Sequence, residues 1–245
     1  MDYFQLSVLA IAIAIVAFLY SSVGHAGASG YIATMTLFGC AATAIKPTAL
    51  VLNILVATIG SFQFWRAGYF SWKLFWPFAL LSVPCAFIGG YVHLPMSIFR
   101  PLVGAVLLFS AVRLFFRQGD PPTVTPPPKP VAVGVGAGIG LLSGLTGTGG
   151  GIFLTPLLLL LRWAITRRAA AVSALFILVN SIAGLVGYFS SGRPVPSIAW
   201  VLAVAAIAGG TIGSYLGSRR FPVRTISLLL GTVLVIAGFK LIFTQ

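Results

Sequence analysis

Lysines and arginines punctuate the chain, and the stretches between them are almost free of charge. Ten apolar segments result, at roughly 4–21, 31–45, 48–65, 74–92, 98–112, 131–146, 152–165, 169–190, 196–217 and 225–239. At about 1.5 Å of helix rise per residue, most of them can cross about 30 Å of hydrocarbon, some with a few flanking residues. The second and seventh are only about 14 residues long, near 21 Å, which predicts short, tilted or re-entrant helices. The pattern therefore predicts an all-α integral membrane protein with eight to ten transmembrane segments, some of them broken.

A proline-rich stretch from Asp120 to Pro130 interrupts this pattern near the middle. Proline at this density excludes helix and favours an extended linker. It divides the chain into a first unit, 1–118, a linker, 119–130, and a second unit, 131–245. The two units resemble each other. At a shift of 121, Ser22 meets Ser143, Gly30 meets Gly151, Thr34 meets Thr155 and Lys46 meets Arg167. Later matches, such as Gly89 with Gly213 and Pro95 with Pro222, drift to larger offsets, as small loop insertions produce.

Charge gives the orientation. If each half contributes five elements, one face holds Arg66, Lys73, Arg113, Arg117, Lys129, Arg162, Arg167, Arg168, Arg219, Arg220 and Arg224. The other face holds only Lys46, Arg100, Arg193 and Lys240. The positive-inside tendency then predicts inverted-topology repeats, a cytoplasmic linker and both termini outside the cytoplasm. The first apolar run could pass for a signal peptide, but it lacks a basic leading region and a matching run recurs later, so it reads as a retained helix.

Composition agrees with the pattern. The chain has 245 residues, of which 59% are hydrophobic and 7% charged, far below the charge of a soluble domain. Its net charge of +13 comes from residues at segment edges, which argues against nucleic acid as a partner and for a lipid bilayer. Cys40 and Cys85 lie in apolar runs and read as packing residues. Gly134/Gly138, Gly136/Gly140 and Gly209/Gly213/Gly217 recur at the four-residue spacing that lets helices approach closely.

Two segments break the apolar pattern at equivalent places. The first, residues 22–30, contains Gly24, His25, Gly27, Ser29 and Gly30; the second, residues 143–151, contains Thr146, Gly147, Thr148, Gly149, Gly150 and Gly151. Glycine this dense does not sustain regular helix. Each break precedes a shortened helix, whose N-terminal N–H groups and positive dipole end would suit an anion. A plain surface loop is the competing account of either break. No Gly-Lys-Ser/Thr follows, so a nucleotide P-loop is excluded.

The remaining polar groups fit the same reading. The two acidic residues, Asp2 and Asp120, lie outside every apolar segment, so a cation site has no carboxylate. Asn53, Ser61, Gln63, Ser173, Asn180 and Ser181 supply hydroxyl and amide donors. Lys46 and Arg167 stand at the entries of their segments as candidate entrance residues, with interfacial snorkelling as the alternative. His25 could titrate near neutral pH or serve structurally. No catalytic set, metal-ligand cluster or cofactor motif is apparent, so no enzyme activity and no cofactor are expected.

The duplicated breaks, with Thr155-Pro156 after the second, resemble the sulfite exporter TauE/SafE family of membrane permeases, as do Ala169-Ala170-Ala171-Val172-Ser173-Ala174-Leu175-Phe176 and Gly213-Ser214-Tyr215-Leu216-Gly217. The resemblance covers the whole chain. It implies a multi-pass inner-membrane permease for sulfite, a sulfonate or a related sulfur oxyanion. The first half departs from the family pattern at Ala49-Leu50-Val51-Leu52-Asn53. A ten-helix drug or metabolite exporter and a non-transporting membrane subunit are the alternatives. Direction of transport, coupling ion and homo-oligomerisation stay open.

Overall fold

Inside hydrocarbon a backbone has only itself to bond with, so a long apolar run folds as helix. The computed structural model describes residues 3–92, 108, 112, 120, 123–192, 194 and 196–243. Its helices are α1 (Tyr3–Ser21), α2 (Ala28–Leu37), α3 (Ala42–Arg66), α4 (Trp72–Tyr91), α5 (Lys129–Thr146), α6 (Gly151–Leu160), α7 (Thr166–Ser190), α8 (Ile198–Arg219) and α9 (Val223–Phe243). Among the described residues, six helices are long and apolar enough to cross a membrane: α1, α3, α4, α5, α7 and α8. The expected fifth segment, 98–112, falls outside the described residues except at 108 and 112, as do Arg100, Arg113, Arg117 and Arg193.

The two short helices are shorter than the sequence suggested. Both α2 and α6 have 10 residues, about 15 Å of rise, half a bilayer core. The second apolar segment, read as 31–45, is cut by a turn through Gly39, whose φ is 69°. Lys46 does not bound a segment; it and Pro47 lie near the start of α3. Likewise Lys129 and Pro130, read as linker, form the first turn of α5, where proline's missing N–H costs no helix bond.

Matched lengths mark the halves. The helices α3 and α7 each have 25 residues. Gly151 follows Ala28 by 123 residues and Thr166 follows Ala42 by 124. These helix starts are offset by 123 and 124 residues, beside the shift of 121 read from identical residues across the breaks. At the helix-start offsets Lys46 aligns with Ala170 and His25 with Thr148. The main seams pair one helix from each part of the chain: α5 lies along α4, α1 lies along α8, and α3 packs on α7. The helices α3 and α7 run in opposite directions. Tyr188, late in α7, donates to the Thr43 carbonyl at the start of α3 (3.4 Å), and Asn53 meets Ser181 at mid-length.

Glycine lines close helix seams. A β-carbon at Gly136, Gly140 or Gly144 of α5 would overlap the α4 backbone at Phe78, Ser82 and Ala86. One at Gly209, Gly213 or Gly217 of α8 would overlap α1 at Ala14, Phe18 and Ser22. Gly134 and Gly138, assigned to packing from their spacing, instead look onto open space on the exposed side of α5.

Several basic loops gather at one end. Arg167 Nη1 donates to the Tyr69 hydroxyl (2.6 Å) and Nη2 to the Phe221 carbonyl (2.9 Å), tying the connections after α3 and α8 to the start of α7. Asp120 accepts from both the backbone N–H (2.7 Å) and the hydroxyl (2.6 Å) of Thr166. This carboxylate therefore caps α7, where a negative charge meets the positive end of the helix. The Thr125 N–H donates to the Arg162 carbonyl (3.1 Å), and Lys129 lies 5.7 Å from the Trp76 ring.

Candidate functional site

Five glycines of the breaks have positive φ, Gly149 among them at 76°. Gly24 and Gly27 have φ of 79° and 106°; Gly147 and Gly150 have φ of 76° and 82°. This left-handed backbone is inexpensive for glycine and strained for other residues. Gly27 and Gly150 stand immediately before α2 and α6 and turn the chain into each half-helix. The Gly150 carbonyl accepts from Phe153 and Leu154 (both 3.1 Å), so the Gly151 and Ile152 N–H groups precede the first helical bonds.

Both breaks are buried throughout residues 22–30 and 147–151. They are not connecting loops at the surface. Asn53 is the twelfth residue of α3 and Ile177 the twelfth of α7, so both stand at the middle of their helices. A β-carbon at Gly149 would lie 2.6 Å from Ile177 Cγ2, 2.9 Å from Ser181 Oγ and 3.0 Å from Asn53 Nδ2. The second break therefore enters the protein at mid-length of the α3–α7 pair. His25 reaches the same place from the first break, its ring 3.4 Å from the β-carbon position of Gly151.

Side-chain hydrogen bonds cross between the halves here. His25 Nε2 meets Thr155 Oγ1 (2.8 Å), and Thr155 Oγ1 donates to Ser173 Oγ (2.7 Å). Asn53 Nδ2 donates to Ser181 Oγ (3.3 Å). All five side chains are buried. Among the described residues, the buried side-chain atoms without a hydrogen-bond partner are His25 Nδ1, Asn53 Oδ1 and Ser143 Oγ here, and Thr48 Oγ1, Ser61 Oγ, Gln63 Oε1 and Arg167 Nε. Ser143 Cβ lies 3.4 Å from the β-carbon position of Gly150. Three under-bonded side chains thus stand beside three successive glycines, at positions where an unmade bond costs about 1–3 kcal/mol. Sequence reading named His25 and Asn53 for this site, but not Ser143 or Thr155. Their convergence is tertiary and leaves no spacing signal.

Other candidates are engaged elsewhere. Asn180 accepts from Ser82 (2.6 Å) and donates to the Phe176 carbonyl (2.8 Å), joining α7 to α4. Ser29 pairs with the Tyr20 hydroxyl (2.9 Å), and Tyr31 donates to the Ala26 carbonyl. Thr146 donates to the Leu142 carbonyl (2.7 Å) and lies 2.8 Å from the Thr148 hydroxyl. Gln63, from the donor-rich set, bonds the Thr211 carbonyl (3.2 Å). A β-carbon at Gly24 would overlap the Ala170 backbone, and one at Gly30 would overlap Val16, so these two glycines serve packing.

The two basic candidates separate. Arg167 is consumed by Tyr69 and Phe221, and its guanidinium stacks 5.2 Å from the Tyr69 ring centre. Lys46 is half-buried, and its Cγ lies 3.0 Å from the β-carbon position of Gly147. Lys46 therefore lies along the second break, while Arg167 ties loops at the basic end.

Comparison with known proteins agrees with this architecture. A relative from Sinorhizobium fredii, named a probable membrane transporter protein, y4hK, is 42% identical over 242 residues, covering 96% of this chain and 97% of that protein. A probable membrane transporter protein of Bacillus subtilis, YunE, is 33% identical over 107 residues, 42% of this chain and 38% of that protein. A similarly named protein of Methanocaldococcus jannaschii is 22% identical over 204 residues, covering 78% of this chain and 76% of its own length. No solved structure matches the chain. The family described as sulfite exporter TauE/SafE matches residues 9–241, and with six apolar spanning helices and buried paired breaks already in view, the chain belongs to that family of multi-pass membrane transporters.

Proposed function

We propose that this transporter moves a small oxyanion, with sulfite, sulfonates and related sulfur oxyanions as its substrate class. The substrate binds between two inverted repeats, at the paired glycine breaks and chiefly at the second. One observation carries this reading: Gly149, Gly150 and Gly151 open a half-helix at mid-length of α3 and α7, beside the unpartnered Ser143 hydroxyl, the Asn53 Nδ2 amide with its second N–H, and the His25 ring. Leading N–H groups of a helix, amide and hydroxyl donors and a low-dielectric setting together suit a compact anion. Lys46 beside Gly147 adds positive potential. The opposed directions of α3 and α7 support the inverted arrangement, and the basic end joined through Arg167 and Asp120 suits the cytoplasmic face.

A panel of labelled sulfite, thiosulfate, sulfate and an alkyl sulfonate, offered to reconstituted liposomes, tests the class. At least one sulfur oxyanion should enter against protein-free controls and be inhibited by the others. Movement of organic cations with no sulfur-oxyanion flux would reject the reading.

A further inference from the structure

The hydrogen-bond chain at His25 fixes which ring nitrogen carries a proton. Thr155 has one hydroxyl hydrogen, and it is donated to Ser173. Toward His25 the same oxygen can therefore only accept, so Nε2 must be the N–H of the imidazole. In the neutral ring Nδ1 is then a bare lone pair, buried and without a partner. The Gly151 backbone lies within reach of the ring.

A bare lone pair repels an anion; an imidazolium attracts one. A buried imidazolium in turn needs a nearby negative charge to offset its lost hydration. We propose that anion and proton enter the break together, the proton on Nδ1 of His25, so that transport is proton-coupled. This rests on the oxyanion reading above. The proton joins the Nδ1 lone pair while Nε2–H stays on Thr155. It leaves from Nδ1 when the anion departs, so one proton accompanies each anion and no other bond is made or broken.

The surroundings leave His25 as the group for this work. From α1 it is faced by Tyr20, whose ring centre is 6.4 Å away and whose hydroxyl is bound to Ser29. From α2 comes Tyr31, bound to the Ala26 carbonyl. The sequence of α6 contains no titratable residue. In α7, Arg167 is held by Tyr69 and Phe221, and Arg168 is exposed. In α3, Lys46 lies against Gly147 of the other break.

Calorimetric titration of sulfite into purified protein, repeated in buffers of different ionisation enthalpy, counts the protons taken up. Wild type should take up about one proton per anion beyond sulfite's own titration, and its affinity should rise about tenfold per pH unit of acidification until His25 is charged. His25→Gln should bind sulfite more weakly, with that extra uptake gone and a flat pH profile. Thr155→Val keeps the imidazole but removes its Nε2 acceptor; it should take up the proton with a displaced midpoint, and decides the matter if the glutamine variant does not fold. Unchanged uptake in His25→Gln, or sulfite binding by wild type with no extra proton, would overturn the coupling and leave the oxyanion reading intact. Absence of sulfite binding by wild type would remove the oxyanion reading, and the coupling with it.

Discussion

In the first break, Gly24 and Gly27 turn the chain through left-handed backbone into α2; in the second, Gly147 and Gly150 do the same into α6. The surroundings then diverge. Around the first break Tyr20 closes on Ser29, Tyr31 closes on Ala26, and Gly24 packs on the Ala170 backbone. Around the second, Asn53, Ser143 and Lys46 approach, and two of the three carry side-chain oxygens with no partner. Two breaks can thus share one backbone solution while one is closed by its own tyrosines and the other is left with polar capacity. His25 is the exception, since it belongs to the first break and its ring lies beside Gly151 of the second.

That contrast can be broken by substitution, and the largest effect belongs to the first break. Gly24→Val adds a branched side chain at a left-handed φ, a strain of about 1–3 kcal/mol before the overlap with Ala170 is counted. Folded yield from membranes, read by size-exclusion profile, should fall to a small fraction of wild type. Recovery of normal, stable protein would show that the first break is not the packed one.

Asn53→Leu probes the second break. Removing one buried amide donor to a charged ligand costs about 1–3 kcal/mol, or about 5- to 150-fold in sulfite affinity. The melting temperature should move much less than that affinity. Equal affinity in the variant would detach Asn53 from the site.

Lys46→Gln and Arg167→Gln sharpen the comparison between the ends. Losing Arg167 strands the Phe221 carbonyl and the Tyr69 hydroxyl, so stability should drop by about 1–3 kcal/mol with sulfite affinity unchanged. Losing Lys46 should weaken affinity by a few fold, more at low than at high salt, and leave the melting temperature near wild type. Reversed outcomes would exchange the two roles. The smallest effect is expected from Thr146→Val, whose hydroxyl already bonds the Leu142 carbonyl; affinity should fall by about fivefold, near 1 kcal/mol.

The sequence made the helices and the breaks legible because lipid enforces helix and glycine density interrupts it. Register was harder to read. Matching Gly30 to Gly151 aligned identical letters, whereas left-handed Gly27 and Gly150 share the same conformation. Lys46 looked like a boundary because charge was used as one; its stem instead packs along Gly147 near the start of α3. Four-residue glycine spacing marked two phases of α5, and only the one with Gly136 and Gly140 faces α4. Asp120 read as a linker residue, yet it caps α7 across a long sequence gap. Thr155 could not be singled out because its partners, His25 and Ser173, lie on other elements, and Ser143 because only the fold brings it beside Gly150.

The central claim is that the second break holds the transported oxyanion, and Gly151→Val tests it most directly. A side chain there must meet Ile177 and the His25 ring rather than backbone, so the protein should still insert and fold. Sulfite flux into proteoliposomes, normalised to inserted protein, should fall by about 100-fold, the equivalent of about 2.7 kcal/mol. Flux at the wild-type rate in a folded Gly151→Val protein would contradict the account.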